Sequence, residues 1–314
     1  MCTVKSTEGS NPSLSAINLN IFIIINYEQN SYNWIWLFRS SVNQNFRSKK
    51  NLLIFDKSRG PGGRSSTRRV DGVGLFDHGI QYISPKTKEF ELFLNQYLKS
   101  SIKEWSGDFH YFEGGKAMDR KKYIGKLGNN AFVKDLITTK VEYLKELVTI
   151  DRKNNNWVLQ FKDKKIQECE SLILTIPMEQ CQKVTSSLNL DLNFEGSMEP
   201  NLTAMVGFKK SLKLSSCGIK FQKNSILGWA GNESSKQRLG NNDNLELWTL
   251  QSSLDFAKKY CHIYRDQKEE VLDSMIQEFI ALLEIQNVEI SHKEIHGWLY
   301  AFKSKDFSRK FYWN

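Results

Sequence analysis

The stretch that most constrains the fold runs from Asn51 to Tyr82 and reads NLLIFDKSRGPGGRSSTRRVDGVGLFDHGIQY. It begins with a short apolar segment, Leu52 to Phe55, which predicts a buried strand, and Asp56 follows directly. A glycine-rich turn at Gly60 to Gly63 comes next. In a dinucleotide-binding fold, the second strand ends in an acid that binds ribose hydroxyls. The order of strand, acid and glycine turn therefore predicts the second strand of such a fold.

The side chains after this strand suggest specific contacts with a ligand. The Asp56 carboxylate could accept both hydroxyls of a ribose, although a turn or helix-cap aspartate would have the same sequence. Gly62 and Gly63 lack a Cβ atom, so their backbone can approach a ligand, and Arg64 offers a bidentate fork for phosphate. An ordinary tight turn is the alternative for these glycines. For Lys57 a surface position is the default.

A second polar group in the same stretch is Asp77 with His78. An adjacent acid and imidazole could serve acid–base catalysis. The pair alone has no defined geometry, and no serine or cysteine nucleophile motif accompanies it.

Composition excludes several classes of function. The net charge of the 314 residues is +9, but basic and acidic residues are mixed, and the compact cluster at Arg64 to Arg69 lies beside the glycine turn. We therefore expect a small-molecule substrate and no nucleic-acid partner. Five widely spaced cysteines without a CxxC pair are typical of reduced thiols in the cytoplasm. No apolar run approaches the roughly 20 residues of a membrane span, and no HExxH-type metal spacing occurs.

Met1 to Ser15 is polar and without periodicity, and Asn26 to Lys50 shows neither a helical stripe nor strand alternation. No GxGxxG turn occurs in residues 1–50. A dinucleotide-binding fold needs its first strand, turn and helix here. Trp has the single codon TGG, so a reading frame shifted by one nucleotide converts every Trp to Gly. Trp34 and Trp36 would then give G-x-G, and Arg39 before Ser40 permits the third glycine. We hypothesise that residues 30–49 are a frame-shifted copy of this motif; the alternative is a genuine N-terminal extension.

Apolar periodicity predicts the remaining elements. Helices are expected within Lys88 to Trp105, Tyr123 to Ile137 and Lys268 to Leu283. The run Ser171 to Ile176 is apolar on both faces, which predicts a central parallel strand. A hairpin or loop is expected at Asp108 to Lys122. The other predicted strands are Thr139 to Leu144, Leu147 to Arg152, Trp157 to Lys162, Ala204 to Phe208, Gly218 to Gln222, Leu227 to Ala230, Leu245 to Gln251 and His292 to Phe302.

The motif DKSRGPGGRSSTRR…FDHGIQY resembles the corresponding segment of the renalase-like branch of the FAD-dependent amine oxidase superfamily. There, an acid is followed by KSRGPGGR, TRR and FDHG-x-QY. The segments YIGKLGNNAFVKDL, LILTIP and HGWLYA resemble later segments of that family in the same order. The resemblance covers roughly Asn51 to Phe302. It implies FAD as cofactor and hydride transfer from an amine or a dihydronicotinamide to the flavin.

The resemblance also implies which residues would contact FAD. Those near the adenosine would be Asp56, Lys57 and Val141, the last through its backbone. Those along the pyrophosphate and ribityl chain would be Arg59, Gly62, Gly63 and Arg64. Those near the isoalloxazine would be His78, Gly79, Gln81 and Tyr82, with Trp298 and Tyr300 facing the flavin from the substrate domain. As an alternative, Trp298 and Tyr300 are aromatic residues of a sheet core.

The expected fold is a two-domain α/β protein. An FAD/NAD(P)-binding Rossmann-like domain carries an inserted substrate domain with an antiparallel sheet. The expected FAD-binding pieces are residues 51–87 and 123–185, and the substrate domain is 88–122 and 186–302. Residues 1–50 form an atypical N-terminal segment and residues 303–314 a short tail, without the family's closing flavin segment. An inactive remnant that no longer binds FAD is the alternative function.

Overall fold

The structure is a computed structural model that describes residues 2–4, 21–25, 52–112, 120–137, 140–188, 196–221, 225–304 and 312–313. The chain divides into two compact units. The first unit comprises Met1–Gly63, Leu136–Met198 and Lys303–Asn314, and the second comprises Arg64–Asp135 and Glu199–Phe302.

The helices and strands are numbered along the described part of the chain. The helices are α1 (Lys88–Tyr97), α2 (Asn129–Leu136), α3 (Met178–Val184), α4 (Leu254–Tyr260) and α5 (Lys268–Leu282). The strands are β1 (Cys2–Val4), β2 (Ile21–Ile25), β3 (Leu52–Phe55), β4 (Arg68–Val70), β5 (Gly74–Phe76), β6 (Ile102–Glu104), β7 (Asp108–Tyr111), β8 (Tyr123–Gly125), β9 (Val141–Glu142), β10 (Leu147–Lys153), β11 (Asn156–Phe161), β12 (Ile166–Cys169), β13 (Ser171–Thr175), β14 (Met198–Phe208), β15 (Ser216–Lys220), β16 (Leu227–Asn232), β17 (Glu246–Ser252), β18 (Ile290–Lys303) and β19 (Tyr312–Trp313).

The first unit is built on a six-stranded sheet with the order β19-β1-β13-β2-β3-β9. Strands β13, β2, β3 and β9 are mutually parallel, whereas β1 pairs antiparallel with β13. Taken along the chain, β2, β3, β9 and β13 are the first to fourth parallel strands, so their spatial order is 3-2-1-4. This is the strand order of the dinucleotide-binding sheet, in which the ligand lies beyond the carboxyl ends of the strands.

The first strand of that sheet is β2, the run Ile21–Ile25, and it pairs in register with β3 through Ile23 and Ile54. No strand was predicted for this run, although the fold requires its first strand within residues 1–50. Residues 30–49, the subject of the frame-shift hypothesis, lie outside the described residues. The strand β13 is interior, as predicted, but only its β2 side is parallel.

The core of the first unit lies between this sheet and the small antiparallel sheet β10-β11-β12. Its buried residues include Phe55, Trp157, Phe161 and Leu174, and the rings of Phe55 and Phe161 are 4.8 Å apart. Because Phe55 directly precedes Asp56, burial of this ring fixes the position of the acid at the end of β3.

The second unit contains a six-stranded sheet with the order β18-β14-β17-β16-β15-β7. The pairs β14–β17, β16–β17 and β15–β16 are antiparallel, so the predicted antiparallel sheet is present. Helix α5 buries one apolar face, which includes Val271, Met275 and Phe279, in the same core as Trp248 of β17. The ring of Phe279 lies 5.1 Å from that of Trp248.

One predicted element of this unit was wrong, and a second is described only in part. The helix expected over Lys88 to Trp105 ends at Tyr97, and Ile102–Glu104 forms β6, which pairs with β8. The apolar stripe is nevertheless buried, from Phe90 through Trp105, so periodicity identified the buried residues but not the change of element. Of the hairpin or loop expected at Asp108 to Lys122, residues 113–119 lie outside the described residues, and β7 pairs in parallel with β15.

The boundaries of the units also differ from the predicted domain pieces. Residues 64–87 and 123–135 group with the second unit. Hydrogen bonds within that unit account for this, since β8 pairs with β6 and Asp77 binds Lys236. None of the helices in the described part of the chain combines the length and apolarity needed to cross a lipid bilayer.

Candidate functional site

In the first unit, Asp56 lies at the carboxyl end of β3, with β2 on one side of that strand and β9 on the other. Its backbone N–H donates to the Glu142 carbonyl at 2.9 Å, and its Oδ1 accepts from the Ser58 N–H at 2.8 Å. Asp56 is only 3% exposed. Burial raises its pKa, against the effect of the hydrogen bonds from Ser58.

Among the described residues, no lysine or arginine forms a salt bridge with Asp56. A buried carboxylate without a cation is stabilised by hydrogen-bond donors, and the hydroxyls of a ribose are such donors. The raised pKa and the strand-end position therefore fit an adenosine ribose at this carboxylate.

The backbone around Asp56 is fixed by the segment that follows β9. Val141 pairs in register with Ile54, and the Lys145 N–H donates to the Asp56 carbonyl at 2.9 Å. Lys57 and Arg59 are exposed, in agreement with the surface position considered for Lys57.

The three glycines of the turn in the first unit differ in whether the protein structure requires a glycine at their position. Gly62 has φ +138° and Gly63 has φ +49°, conformations that glycine adopts without strain. An added Cβ at Gly60 would meet no atom within 4 Å, so the protein itself does not demand a glycine there.

In the second unit, Arg64 and Gly79 are held together by backbone contacts. The Ile80 N–H donates to the Arg64 carbonyl at 2.8 Å, and a Cβ at Gly79 would lie 1.8 Å from the same oxygen. The Arg64 guanidinium Nη1 donates to the Tyr300 carbonyl. Gly79 is therefore required by the close approach of two backbone segments, whatever ligand binds nearby.

His78 belongs to a cluster of three rings on one side of β18. Its ring stacks on Trp298 with centroids 5.3 Å apart, and its edge meets His296 at 5.0 Å. The Trp298 indole N–H donates to the His78 carbonyl at 2.9 Å. Burial, with a smaller contribution from His296 and Arg68, lowers the pKa of His78 to about 3, so this imidazole is neutral near pH 7.

The four candidates for the flavin-facing position do not form one group in the second unit. His78 and Trp298 stack, and Tyr300 is joined by its carbonyl to Arg64. The Tyr82 ring instead packs against Trp105 and Trp229, at centroid distances of 6.2 and 5.5 Å. The His78 Nδ1 atom is buried and has no hydrogen-bond partner among the described residues.

Asp77 does not pair with His78. Its carboxylate binds Lys236 Nζ at 2.8 Å and Arg238 Nη1 at 2.7 Å, and Glu233 binds the same two cations at 2.8 and 3.4 Å. All four side chains are completely buried. We call Asp77, Glu233, Lys236 and Arg238 the buried ion cluster. The geometry excludes an Asp77–His78 catalytic couple in this conformation, because both oxygens of the carboxylate are engaged elsewhere.

The buried ion cluster is closed by hydrogen bonds to neutral groups. Thr67 Oγ1 donates to Asp77 Oδ1 at 2.7 Å, and the Asn129 N–H donates to the same oxygen at 3.1 Å. Thr249 Oγ1 donates to Glu233 Oε1 at 2.8 Å. Although burial opposes ionisation, Arg238 and Lys236 lower the pKa of Asp77 to about 2. The Asp77 carboxyl is therefore ionised near pH 7 although it is fully buried.

Sequence reasoning missed Glu233, Lys236 and Arg238. They follow β16 in a short connection to β17, where charged residues are normally solvated. Their acidic partner Asp77 is 159 residues from Lys236 in the chain, so no local pattern reveals the pairing. A weak signal existed, since these three charged residues come soon after the strand predicted over Leu227 to Ala230.

Comparisons with known proteins support this architecture. Residues 40–97, which contain β3 and Asp56, match the model of the NAD(P)-binding Rossmann-like domain. The first unit carries this Rossmann-like sheet. The chain as a whole has the predicted two-domain α/β fold with a Rossmann-like domain. Solved structures with a similar fold match this chain over residues of both units.

Three of these neighbours illustrate the likeness. A protein assigned as a protoporphyrinogen oxidase from Exiguobacterium sp. 255-15 superposes with a TM-score of 0.68 at 9% identity, over 92% of this chain and 88% of that one. Reduced UDP-galactopyranose mutase gives 0.67 at 10% identity, over 93% and 83% of the two chains. A putrescine oxidase variant from a redesign of cofactor binding gives 0.58 at 8% identity, over 87% and 84%. At these identities the likeness concerns the fold.

Proposed function

We propose that this protein is an FAD-dependent oxidoreductase of the renalase-like amine oxidase type, acting on an amine or a dihydronicotinamide. The observation that carries the proposal is the buried Asp56 carboxylate at the end of β3, in a sheet with the 3-2-1-4 order. A carboxylate in this place is suited to the ribose of a dinucleotide, and FAD contains one.

Two further observations support a flavin rather than a freely dissociating nicotinamide cofactor. The motif from Asp56 to Tyr82 and three later segments resemble the renalase-like family in order. Two structural neighbours bear the names of oxidases, and one of them is a putrescine oxidase whose cofactor binding was redesigned. We infer that the second unit, with its antiparallel sheet, contributes the substrate-binding residues.

The residues present fit this cofactor. Asp56 would accept the ribose hydroxyls, and the backbone at Gly62 and Gly63 would approach the pyrophosphate because no Cβ intervenes. When bound, FAD would accept a hydride from the reduced substrate carbon and pass the electrons to oxygen. His78 would contribute a neutral ring and Trp298 an apolar stacking surface, so neither is assigned a proton transfer.

Flavin content and Asp56→Asn test the cofactor assignment. We expect the purified wild-type protein to show the visible absorbance of oxidised flavin, or to gain it on reconstitution with FAD. Asp56→Asn removes a charged acceptor, whose hydrogen bonds contribute about 1.5–3 kcal/mol, so FAD affinity should fall roughly 10- to 150-fold. The matched control is Asp151→Asn, which changes an exposed carboxylate of β10 in the same unit.

The possible outcomes separate the alternatives. If the wild-type protein remains colourless and binds no FAD, the inactive remnant is the correct interpretation. If Asp56→Asn and Asp151→Asn bind FAD equally well, Asp56 does not hold the ribose. Anaerobic mixing with a primary amine or with a dihydronicotinamide then identifies the substrate class, because the true substrate bleaches the flavin absorbance.

A further inference from the structure

The buried ion cluster is connected to one short segment, Asp77–Gln81, at both of its ends. At the first end, the Asp77 N–H donates to Glu233 Oε1 at 3.1 Å, and the Asp77 carboxylate binds Lys236. At the other end, Gln81 Nε2 donates to the same Glu233 oxygen at 3.1 Å, and Gln81 Oε1 accepts from Lys236 at 3.5 Å. Glu233 and Lys236 thus bind both ends of this segment.

Lys236 is held in one orientation. Its ammonium group has three protons, and it contacts the carboxylates of Asp77 and Glu233, each at 2.8 Å, together with the Gln81 amide oxygen. The ring of Trp105 lies 4.7 Å from Nζ on a further side. With no exposed surface and every proton directed at an acceptor, Lys236 cannot exchange partners with solvent as a surface lysine does.

Between its two ends, the segment carries His78 and Gly79. The Gly79 carbonyl accepts from Gln251 Nε2 at 2.7 Å, and the His78 carbonyl accepts from the Trp298 indole. The Asn129 side chain donates to the Ile80 carbonyl at 2.8 Å. The backbone is therefore hydrogen-bonded at each residue from Asp77 to Ile80, and Gln81 is held through its side-chain amide. Rotation at either end would disturb the contact between His78 and Trp298.

The presence of a buried ion cluster is weak evidence that the cluster increases the stability of the fold. Replacing a complete buried ion cluster by apolar residues of similar volume is often neutral or stabilising, since burial removes the charges from water. Apolar residues cannot fix the orientation of a peptide group, because dispersion contacts have no preferred direction. Hydrogen bonds from Lys236 and to Glu233 do define it.

We propose that Lys236 is a positioning residue which, through Glu233, Asp77 and Gln81, orients the Asp77–Gln81 segment for flavin binding. The flavin in this statement rests on the proposed function, whereas the orientation of the segment is a property of the protein without ligand. Lys236 contacts neither substrate nor cofactor in this assignment. Its effect passes through His78 and Gly79.

The experiment compares three variants. Lys236→Met removes one cation and leaves two carboxylates with Arg238 alone. Asp77→Asn combined with Lys236→Met removes one charge of each sign, so the cluster returns to zero net charge as the pair of Glu233 and Arg238. The control Lys122→Met removes a different buried lysine of the same unit, which binds the Arg120 carbonyl and lies over the Phe109 ring.

Three properties are measured: the melting temperature, the FAD dissociation constant, and the indole N–H resonance of Trp298 in protein free of flavin. Trp298→Phe assigns the resonance. Lys236→Met should lower the melting temperature, move the Trp298 resonance and weaken FAD binding by about tenfold or more, which corresponds to the loss of one charged hydrogen bond. The double variant should recover melting temperature but neither the resonance nor the affinity. Lys122→Met should leave the resonance in place.

Recovery of all three properties in the double variant would show that the cluster acts only through stability, and the proposal would be wrong. An unchanged Trp298 resonance in folded Lys236→Met, or an equal shift in Lys122→Met, would also overturn it. If Lys236→Met does not fold, the double variant alone decides by the same criteria. If the wild-type protein binds no FAD, the proposed function fails, and the Trp298 resonance still decides whether Lys236 positions the segment.

Discussion

Replacement of Gly79 by alanine gives the sharpest test of the geometry around the Asp77–Gln81 segment. A Cβ at this position would lie 1.8 Å from the Arg64 carbonyl oxygen and 2.7 Å from the Arg64 carbonyl carbon. Both are backbone atoms, so no side-chain rotation relieves the contact. The two backbone segments must separate for alanine to be accommodated.

The expected cost follows from what the separation breaks. Overpacking a well-packed interior typically costs about 1–3 kcal/mol. Displacement also weakens the hydrogen bonds from Ile80 to Arg64 (2.8 Å) and from Gln251 to Gly79 (2.7 Å), each of which contributes about 1 kcal/mol. The free energy of unfolding should therefore fall by about 2–5 kcal/mol.

Urea unfolding of Gly79→Ala beside Gly60→Ala measures this difference. Alanine at Gly60 would meet no atom within 4 Å, so this control should be neutral or stabilising by about 0.4–1 kcal/mol through the unfolded chain. A thermal scan should show a loss of about 2–4 °C per kcal/mol for a domain of this size. If Gly79→Ala is as stable as Gly60→Ala, the close approach of Arg64 and Gly79 is not present in the protein.

Two further predictions concern the second unit. The pKa of His78 is lowered from 6.5 to about 3, so below pH 6.5 the unfolded chain binds a proton that the folded protein does not. Stability should therefore fall as pH decreases from 6.5, by at most about 1.4 kcal/mol per pH unit from this residue, and urea titrations across that range should show a shallower slope for His78→Asn. Equal slopes would refute the burial of a neutral His78. Gly218→Ala would place a Cβ 2.4 Å from the Trp229 ring. We therefore expect the free energy of unfolding to fall by about 1–3 kcal/mol and the tryptophan fluorescence to change. Wild-type values for both measurements would contradict this packing.

Local sequence patterns correctly predicted those strands and helices whose apolar residues recur regularly along the chain. The strand before Asp56 is bounded by a polar residue and a glycine turn, and helix α5 has an apolar face that repeats over its whole length. Both were predicted close to their observed bounds. The stripe from Phe90 to Trp105 shows the limit, because periodicity reports which residues are buried and not where a helix ends.

Elements that depend on distant partners could not be predicted in this way. The run Ile21–Ile25 is not followed by an acid and a glycine turn, as Leu52 to Phe55 is, and its place in the sheet becomes clear only through its pairing with β3 and β13. The buried ion cluster is the clearest case at the candidate site. Lys236 and Arg238 have the sequence context of solvated loop residues, and their burial is explained by Glu233 together with Asp77, which lies far along the chain.

The stretch from Asn51 to Tyr82 contributes to both units, and this explains why so much of the chemistry is concentrated in it. Its first part ends β3 of the Rossmann-like sheet with Asp56, and its second part, beginning at Arg64, supplies the segment that Glu233 and Lys236 hold. An acid for a ribose needs only the end of a parallel strand. In the Asp77–Gln81 segment each residue has a hydrogen bond to a residue outside the segment, whereas Lys57 and Arg59 have exposed side chains. Under the proposed function, Asp56→Asn should therefore change FAD affinity with little loss of stability, whereas Gly79→Ala should change both together.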